Sequence, residues 1–307
     1  MDLGAHLPLA DLGDGTPSLD GLSAYVGRAR EVGFTTVSAN DHLVWRRPWL
    51  DGPTALAAVL SEAGAMTLAT SISLPVVRHP VVVAKTLSSL ASLTVGRVVG
   101  GLGPGSSQAD YDAVGVPFSE RWSRFDEALP MVRSLVRGDA TSGGLHYGAA
   151  GPLAPVRVPP PEVWFGSWGS DRRLAAMAAH SDGWFASAYN TTPEKYATAR
   201  ARLDGHLTAA GRDPTSYPDA VATAWALVTT RTGERERVLR DLLGPLLGRA
   251  PETLGSLPIG SPAQCAEAFA AYAEGRGDAD AGVAAARCEC PAGAARRLCG
   301  VRRVVVR

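Results

Sequence analysis

The sequence predicts an α/β protein whose strands close into an eight-stranded (β/α) barrel of the TIM type. Seven short apolar segments alternate with amphipathic, helix-like segments along the chain, and repeated β–α units imply parallel strands joined by right-handed crossovers. The length of 307 residues suits one barrel, since such domains often take about 250 residues. A doubly wound nucleotide-binding sheet would need G-x-G-x-x-G after its first strand, where this chain has HLPLADLGDG.

The predicted strands are short, apolar and bounded by turn-forming residues. The second of them, FTTVSAN, is rich in the β-branched residues that favour strands. The seven predicted strands cover residues 3–8, 34–40, 66–77, 97–103, 163–166, 184–188 and 222–230.

The predicted helices carry apolar residues at helical spacing and end signals at their boundaries. The segment 53–64 begins with proline and ends with glycine, the usual asymmetry of helices. In 119–138 the apolar stripe includes Trp122, Phe125 and Leu129, and Pro130 predicts a kink. The predicted helices cover residues 19–33, 53–64, 80–96, 119–138, 170–183, 192–211, 234–248 and 261–275.

We expect residues 1–274 to form one barrel domain. The Gly- and Pro-rich segment 139–161 interrupts the alternation, which resumes after it, so we interpret this segment as a surface excursion. Residues 275–307 form an atypical tail rich in Arg, Ala and Cys, with a possible strand only at 301–306. The tail is a flexible terminus, an insertion before a displaced last strand, or the product of a frame change, which we favour.

The composition excludes several classes of protein. Hydrophobic residues make up 46% and charged residues 20% of the chain, as in globular domains. The 30 basic and 30 acidic residues balance, so no basic excess favours nucleic-acid binding. No apolar run is long enough for a membrane span and no secretory signal is evident, which predicts a cytoplasmic protein. Cys288-x-Cys290 lacks the spacing of a metal site, and we predict no metal.

Polar residues follow the second predicted strand. An Asp41 beside His42 at a barrel strand end can orient the imidazole for proton transfer, or Asp41 can cap a turn while His42 packs. Trp45 is either a wall of the pocket or a packing residue. His6, near the end of the first strand, and Tyr189 and Asn190, beyond the sixth, are further candidates for the substrate pocket.

Two glycine-rich turns follow predicted strands. The first contains Gly103, Gly105, Ser106 and Ser107, whose backbone and hydroxyl groups can approach a ligand. The second runs from Gly166 to Ser170 and leads into a helix. Its amides and hydroxyls suit a phosphate, unless Ser170 merely caps the helix. The residues of the second turn are Gly166, Ser167, Trp168, Gly169 and Ser170.

Three segments together resemble the bacterial luciferase-like family of flavin- or deazaflavin-dependent oxidoreductases. They are VSANDHLVW at 37–45, the long segment 74–129, and PPPEVWFGSWGSDRRLAAMAAHSDGW at 159–184. The middle segment is the most specific, with P-x-x-R-x-P, S-L-T-x-G-R, G-x-G-P-G and E-R-x-x-R-F-x-E in order. The resemblance covers about residues 2–274 and stops at the tail, which puts the closure of the barrel in question.

The resemblance implies roles for these residues. His42 matches the active-site histidine of the family, and the 166–170 turn matches its cofactor-phosphate loop. A bulge at Ser71, Ile72 and Ser73 is expected to support the cofactor ring, with a non-prolyl cis peptide between Ser71 and Ile72.

The resemblance also implies an activity. We expect an FMN-dependent monooxygenase that receives reduced FMN from a separate flavin reductase, uses O₂, acts on a small organic molecule and forms a homodimer. The first alternative is F420-dependent hydride transfer on the same barrel. Some F420-dependent relatives carry glutamate where this chain has Ser106, which favours FMN. The second alternative is a flavin-binding protein without turnover.

Overall fold

The computed structural model describes residues 2–11, 15–94, 97–155, 157, 159–188, 190–223, 225–255 and 257–274, and the backbone of 304–306. Eight strands of these residues form a closed barrel, in which neighbouring strands follow the order β1-β10-β7-β6-β5-β4-β3-β2. The predicted barrel is therefore confirmed. The barrel strands are β1 (Leu3–His6), β2 (Thr36–Ala39), β3 (Thr67–Ser73), β4 (Val98–Leu102), β5 (Glu162–Gly166), β6 (Gly183–Ser187), β7 (Asp219–Ala222) and β10 (Val304–Val306).

The eighth barrel strand differs from the expected β–α repeat. Strands β1 to β7 are parallel, whereas β10 pairs antiparallel with β1, Leu3 opposite Val306, and antiparallel with β7, Val221 opposite Val306. An antiparallel strand can satisfy the backbone groups of both neighbours. The strand predicted at 301–306 is present over 304–306, and the rest of the tail, including Cys288 and Cys290, lies outside the described residues.

Helices cover the outside of the barrel between the strands. The predicted helix 53–64 is two helices that meet at Val59, and the predicted 66–77 strand ends at Ser73 and is followed by a helical turn. The helices are α1 (Leu19–Glu31), α2 (Gly52–Ala58), α3 (Leu60–Ala63), α4 (Pro75–Arg78), α5 (Pro80–Leu93), α6 (Gln108–Asp112), α7 (Arg121–Val136), α8 (Asp171–His180), α9 (Pro193–Ala209), α10 (Glu234–Arg237), α11 (Gly244–Leu247) and α12 (Pro262–Glu274). Short 3₁₀ helices cover Phe118–Glu120, Pro214–Ser216 and Pro251–Leu254, and a π-helix covers Val238–Leu243.

The described residues between 225 and 260 form a small unit, the 225–260 unit, with its own apolar cluster, which includes Trp225, Leu239, Leu243 and Ile259. The predicted strand 222–230 is wrong in its extent for this reason. The barrel strand ends at Ala222, and β8 (Leu227–Val228) pairs with β9 (Ile259–Gly260) in a separate two-stranded sheet. Trp225 and Leu227, which follow Ala222, are buried in that unit and not in the barrel.

Two further groups of buried side chains form the core. The larger group lies between the strands and the helices around them. The smaller group comes from β3 to β7, as expected for side chains that fill a barrel, and comprises Ala69, Val99, Trp164, Phe185 and Ala220.

Candidate active site

A cavity of about 320 Å³ lies where the strands end. Its lining includes His6 at the end of β1, Ser71 in β3, Gly166 at the end of β5 and Ala222 at the end of β7. These are the carboxyl ends of the parallel strands, where barrel enzymes place their sites.

His42 lines this cavity, as expected, and its orientation comes from a residue far along the chain. Nδ1 of His42 lies 2.8 Å from Oδ2 of Asp110, and the other oxygen of Asp110 accepts the backbone N–H groups of Leu43 and Val44 at 2.8 Å each. A carboxylate accepts hydrogen bonds, so Nδ1 carries the proton and Nε2 is the basic nitrogen of the neutral ring.

Asp110 is ionised in this arrangement. Its side chain is 1% exposed, and burial raises its pKa. The hydrogen bonds from His42 and from the N–H groups of Val44 and Leu43 outweigh burial, so the pKa lies below its ordinary value. Sequence reasoning missed Asp110, because it lies 68 residues from His42, in a five-residue helix that the sequence analysis did not predict.

Trp45 packs on His42, with ring centroids 4.2 Å apart. Trp49 contacts both rings, at centroid distances of 5.1 Å to His42 and 5.6 Å to Trp45. Trp45 is not among the described residues that line the cavity, so its observed contact corresponds to packing.

Asp41 borders the cavity, but its carboxylate is bound by the protein. Nε and Nη2 of Arg78 donate to its two oxygens at 2.6 and 2.7 Å, and the N–H of Leu74 donates at 3.3 Å. Arg78 also pairs with Asp51. Asp41 therefore does not cap a turn, and its carboxylate oxygens are occupied by Arg78 and Leu74 instead of facing a ligand in the cavity. It ties the end of β2 to α4.

His6 joins three strands at the cavity. Its Nε2 lies 3.1 Å from Oδ1 of Asn40, and its Nδ1 lies 3.0 Å from Oγ of Ser38 and 3.3 Å from Oγ of Ser71. The side chain is almost fully buried and lines the cavity.

The predicted bulge is present in β3. The pairing of β3 with β4 shifts between Ser71 and Ser73, and the Ser71–Ile72 peptide is cis, so the prediction of a cis peptide here is confirmed. Ser71 and Ile72 line the cavity. Ser73 is buried, and its carbonyl accepts the N–H of Gly103 at 3.1 Å.

Glycines make room for the Ile72 side chain. A Cβ at Gly103 would lie 2.2 Å from Cδ1 of Ile72, and a Cβ at Gly166 would lie 2.7 Å from its Cγ2. Both distances are shorter than real contacts. Gly103 therefore acts through Ile72 and is not itself in the cavity lining, whereas Gly105 and Ser106 are.

Of the remaining residues of the two glycine-rich turns, some line the cavity and others do not. Ser107 precedes α6 and, like Gly169, is not among the described lining residues. Gly169 has a φ of 85°, and its N–H donates to Oγ of Ser167 at 3.2 Å. Gly166, Ser167, Trp168 and Ser170 line the cavity, and Trp168 is 64% exposed.

The end of the cavity near α8 carries donors for an anion. Ser170 precedes α8 without a side-chain bond to the described helix amides, so capping does not occupy its hydroxyl. Arg121 and Arg173 also line the cavity, and sequence reasoning did not select them for this site. Arg173 pairs with Asp126 and lies 3.8 Å from the Trp122 ring centre. These donors, together with the first amides of α8, fit a phosphate group.

Asn190 lines the cavity on the side of β6, and Tyr189 lies outside the described residues. Asn190 donates to Oγ of Ser187 at 3.0 Å and accepts Nη2 of Arg249 at 2.6 Å. Arg249, which the sequence analysis did not select, thus connects the 225–260 unit to the cavity.

Two absences concern the described residues alone. Within them, no group of three or more His, Cys, Asp or Glu side chains has the arrangement of a metal site. None of the helices built from them is long and apolar enough to cross a membrane.

Comparison with known proteins identifies the family. The model of the luciferase-like monooxygenase family matches residues 5–254. The chain belongs to this family. The family is described as one of luciferase-like monooxygenases, and a relative described below is named as a dehydrogenase.

Two curated relatives are similar to this chain over part of their length. The chain is 34% identical to the F420-dependent hydroxymycolic acid dehydrogenase of Mycobacterium tuberculosis over 64% of this chain and 56% of that protein. It is 36% identical to the F420-dependent glucose-6-phosphate dehydrogenase of Beutenbergia cavernae over 42% of this chain and 40% of that protein. The matched region spans about half the length of these curated relatives.

A solved structure supports the fold of the family. The monooxygenase RslO1 from Streptomyces bottropensis matches with a TM-score of 0.74 and 22% identity, over 90% of this chain and 89% of that chain. At this identity the match concerns the fold.

Proposed function

We propose that this chain transfers a hydride between the deazaflavin cofactor F420 and an alcohol or carbonyl group of a small organic molecule. The observation that carries the proposal is the His42–Asp110 pair at the cavity, since oxidation of an alcohol needs a group that takes the hydroxyl proton. The choice of F420 over FMN rests on the two curated relatives described above, both of which are named as F420-dependent dehydrogenases. Those relatives favour the alternative over the FMN-dependent monooxygenase.

The cavity fits a planar cofactor that carries a phosphate. The side chain of Ile72 occupies space that a Cβ at Gly103 or Gly166 would fill, and it forms an apolar wall of the cavity for a ring. Ser167, Ser170, Arg121 and Arg173 offer donors for the phosphate. Bound F420 supplies or takes up a hydride.

The residues of the chain handle the proton. When the substrate alcohol loses a hydride from carbon, its hydroxyl proton passes to Nε2 of His42 and a carbonyl remains. Asp110 keeps the proton on Nδ1 and stabilises the positive charge on the ring. In the reverse direction His42 returns the proton to the alcohol oxygen.

Anaerobic titration with F420 and with FMN, oxidised and reduced, tests the cofactor. We expect micromolar binding of F420, followed by absorbance and fluorescence, and F420 reduction with some member of a panel of secondary alcohols. Binding of FMN alone, with O₂ uptake in the presence of a flavin reductase, would establish the monooxygenase. Tight binding without turnover in either assay would indicate a binding protein.

A histidine variant tests the assigned role. His42→Gln should lower kcat by about 10²- to 10⁴-fold, the usual contribution of a general base, while the Kd of F420 stays unchanged. The control His206→Gln replaces an imidazole on α9 that pairs with Asp171. The homodimer and the separate reductase remain predictions.

A further inference from the structure

We infer that His6 and Ser38 are positioning residues, which leave the hydroxyl hydrogen of Ser71, in the bulge expected to support the cofactor, available to the ligand. The inference rests on the proposed function, because it concerns the ligand of this same cavity. The hydrogen-bonded group of His6, Ser38 and Ser71 takes no part in the proton transfer by His42.

The first step concerns the proton on His6. Its Nε2 lies 3.1 Å from the amide oxygen of Asn40, which accepts hydrogen bonds. Nε2 therefore carries the proton. In the neutral ring, Nδ1 then has one lone pair and accepts one hydrogen bond.

Two serine hydroxyls lie within reach of that lone pair. Oγ of Ser38 is 3.0 Å from Nδ1 and Oγ of Ser71 is 3.3 Å from it. Ser38 is 0% exposed and is not among the described cavity-lining residues. Ser38, at the shorter distance and away from the cavity, donates to Nδ1.

Ser71 is left with a different partner. It lines the cavity next to Ile72, and its hydroxyl cannot share the lone pair that Ser38 occupies. Its hydrogen can point into the cavity, toward an acceptor atom at the edge of a bound ring. His6 and Ser38 together set this direction, although Ser38 does not border the cavity.

This arrangement makes an unusual prediction about Ser38. Removal of its hydroxyl frees Nδ1, so Ser71 turns to donate to His6 and leaves the ligand. Ser38→Ala should therefore weaken F420 binding by about fivefold, the loss expected for one hydrogen bond. Ser71→Ala should weaken binding equally, and the double variant should bind no more weakly than Ser71→Ala alone.

The measurement is the Kd of F420, with FMN as a second probe, at pH 8.5, where an ordinary imidazole is neutral. Ser88→Ala, at a buried serine of α5, controls for the loss of a buried hydroxyl, and the melting temperature of each variant checks its fold. Ser38→Cys keeps a weaker donor and should give an intermediate Kd, which serves if Ser38→Ala does not fold.

The outcomes separate the two proposals. Wild-type Kd values in folded Ser38→Ala, or additive losses in the double variant, would overturn the role of His6 and Ser38 and leave the proposed function standing. If the wild-type chain binds FMN in place of F420, the same comparison with FMN tests the hydrogen bond while the F420 proposal fails. If neither cofactor binds to the wild-type chain, both proposals are wrong.

Discussion

The two walls of the cavity are held by hydrogen bonds of different sequence range. The first wall, formed by His6, Asp41, His42 and Ser71, uses bonds between residues 32 to 68 positions apart, such as His6 to Ser38 and His42 to Asp110. In the second wall, formed by Ser167, Ser187 and Thr223, the side-chain hydroxyl groups bond to residues two or three positions away. Exceptions on the second side are Asn190, which bonds to Arg249 across 59 positions, and Arg173, which bonds to Asp126 across 47 positions. The backbone carbonyl of Ser167 also accepts a bond from Trp184, 17 positions away.

This difference separates two tasks. Long-range bonds form only when distant segments of the chain come together, and they hold reactive groups in one geometry. Local bonds shape each loop by itself, so a loop can vary in sequence without loss of the fold. We therefore expect changes in the first wall to reduce stability or catalysis, and changes in the second wall to alter ligand affinity.

The largest effect should come from Arg78→Ala in the support of the first wall. The Asp41 side chain is 1% exposed, and loss of a partner from a buried ion pair costs about 3–5 kcal/mol of unfolding free energy. Urea unfolding measures the loss. The control is Arg28→Ala, which breaks an exposed pair with Glu31. An equal loss of unfolding free energy in both variants would show that the buried pair supports the first wall no more than an exposed pair does.

Acid should weaken the same support. Burial raises the pKa of the Asp51 carboxyl group, but the hydrogen bonds from Thr54 and Arg78 lower it by more than burial raises it. The pKa of Asp51 therefore lies below its ordinary value. The group therefore stabilises the fold above about pH 4, the ordinary value in the unfolded chain, and this contribution disappears as the pH falls through the folded pKa. The stability difference between wild type and Arg78→Ala should shrink below pH 4 in urea unfolding, and a constant difference would argue against it.

Asp110→Asn should act on catalysis more than on folding. The variant can no longer keep His42 in its tautomer or stabilise its positive charge, so kcat should fall by about 10²- to 10⁴-fold. The steady-state assay that shows turnover for the wild type measures this. Asp112→Asn, at a residue of the same helix bonded to Gln108, should stay within twofold of wild type. Equal activity of the Asp110→Asn and Asp112→Asn variants would show that Asp110 does not contribute to catalysis.

Gly103→Ala tests the junction between the walls. The added Cβ would lie 2.2 Å from Cδ1 of Ile72, so Ile72 must move, at a cost of about 1–3 kcal/mol as for other overpacked sites. The expected result is weaker cofactor binding and a lower melting temperature. The control is Gly148→Ala, whose added Cβ would have no atom within 4 Å, so cofactor binding and melting temperature should stay unchanged. Equal values for the two variants would show that the absence of a Cβ at Gly103 does not fix the position of Ile72.

Ser187→Ala should have the smallest effect on stability. Its described partner is Asn190, three residues away, so we expect a loss of about 1 kcal/mol or less and a change of a few-fold in KM. Thermal unfolding and substrate kinetics measure the two quantities. A loss of several kcal/mol would show that the second wall also supports the fold.

The sequence predicted the barrel because its repeated strands and helices carry local signals. The order of elements and the position of His42 at a strand end were anticipated from segments of a few residues, whereas the bulge with its cis peptide was anticipated from the resemblance to the family. The limits of β7 were not, because the apolar residues after Ala222 suit a barrel strand as well as the separate 225–260 unit. The direction of β10 was not anticipated either, since a run of valines has no direction of its own.

The sequence by itself determined the elements, their order and the histidine at the end of β2, because hydrophobic period, caps and turns are properties of neighbouring residues. Only the tertiary structure decided which partners those residues meet: Asp110 for His42, Arg78 for Asp41, Ser38 and Asn40 for His6. Each of these contacts joins residues more than 30 positions apart, and no local pattern selects one distant carboxylate or hydroxyl among many. The closed barrel makes that selection, because it brings the ends of distant strands to one edge and buries polar groups that must then be paired.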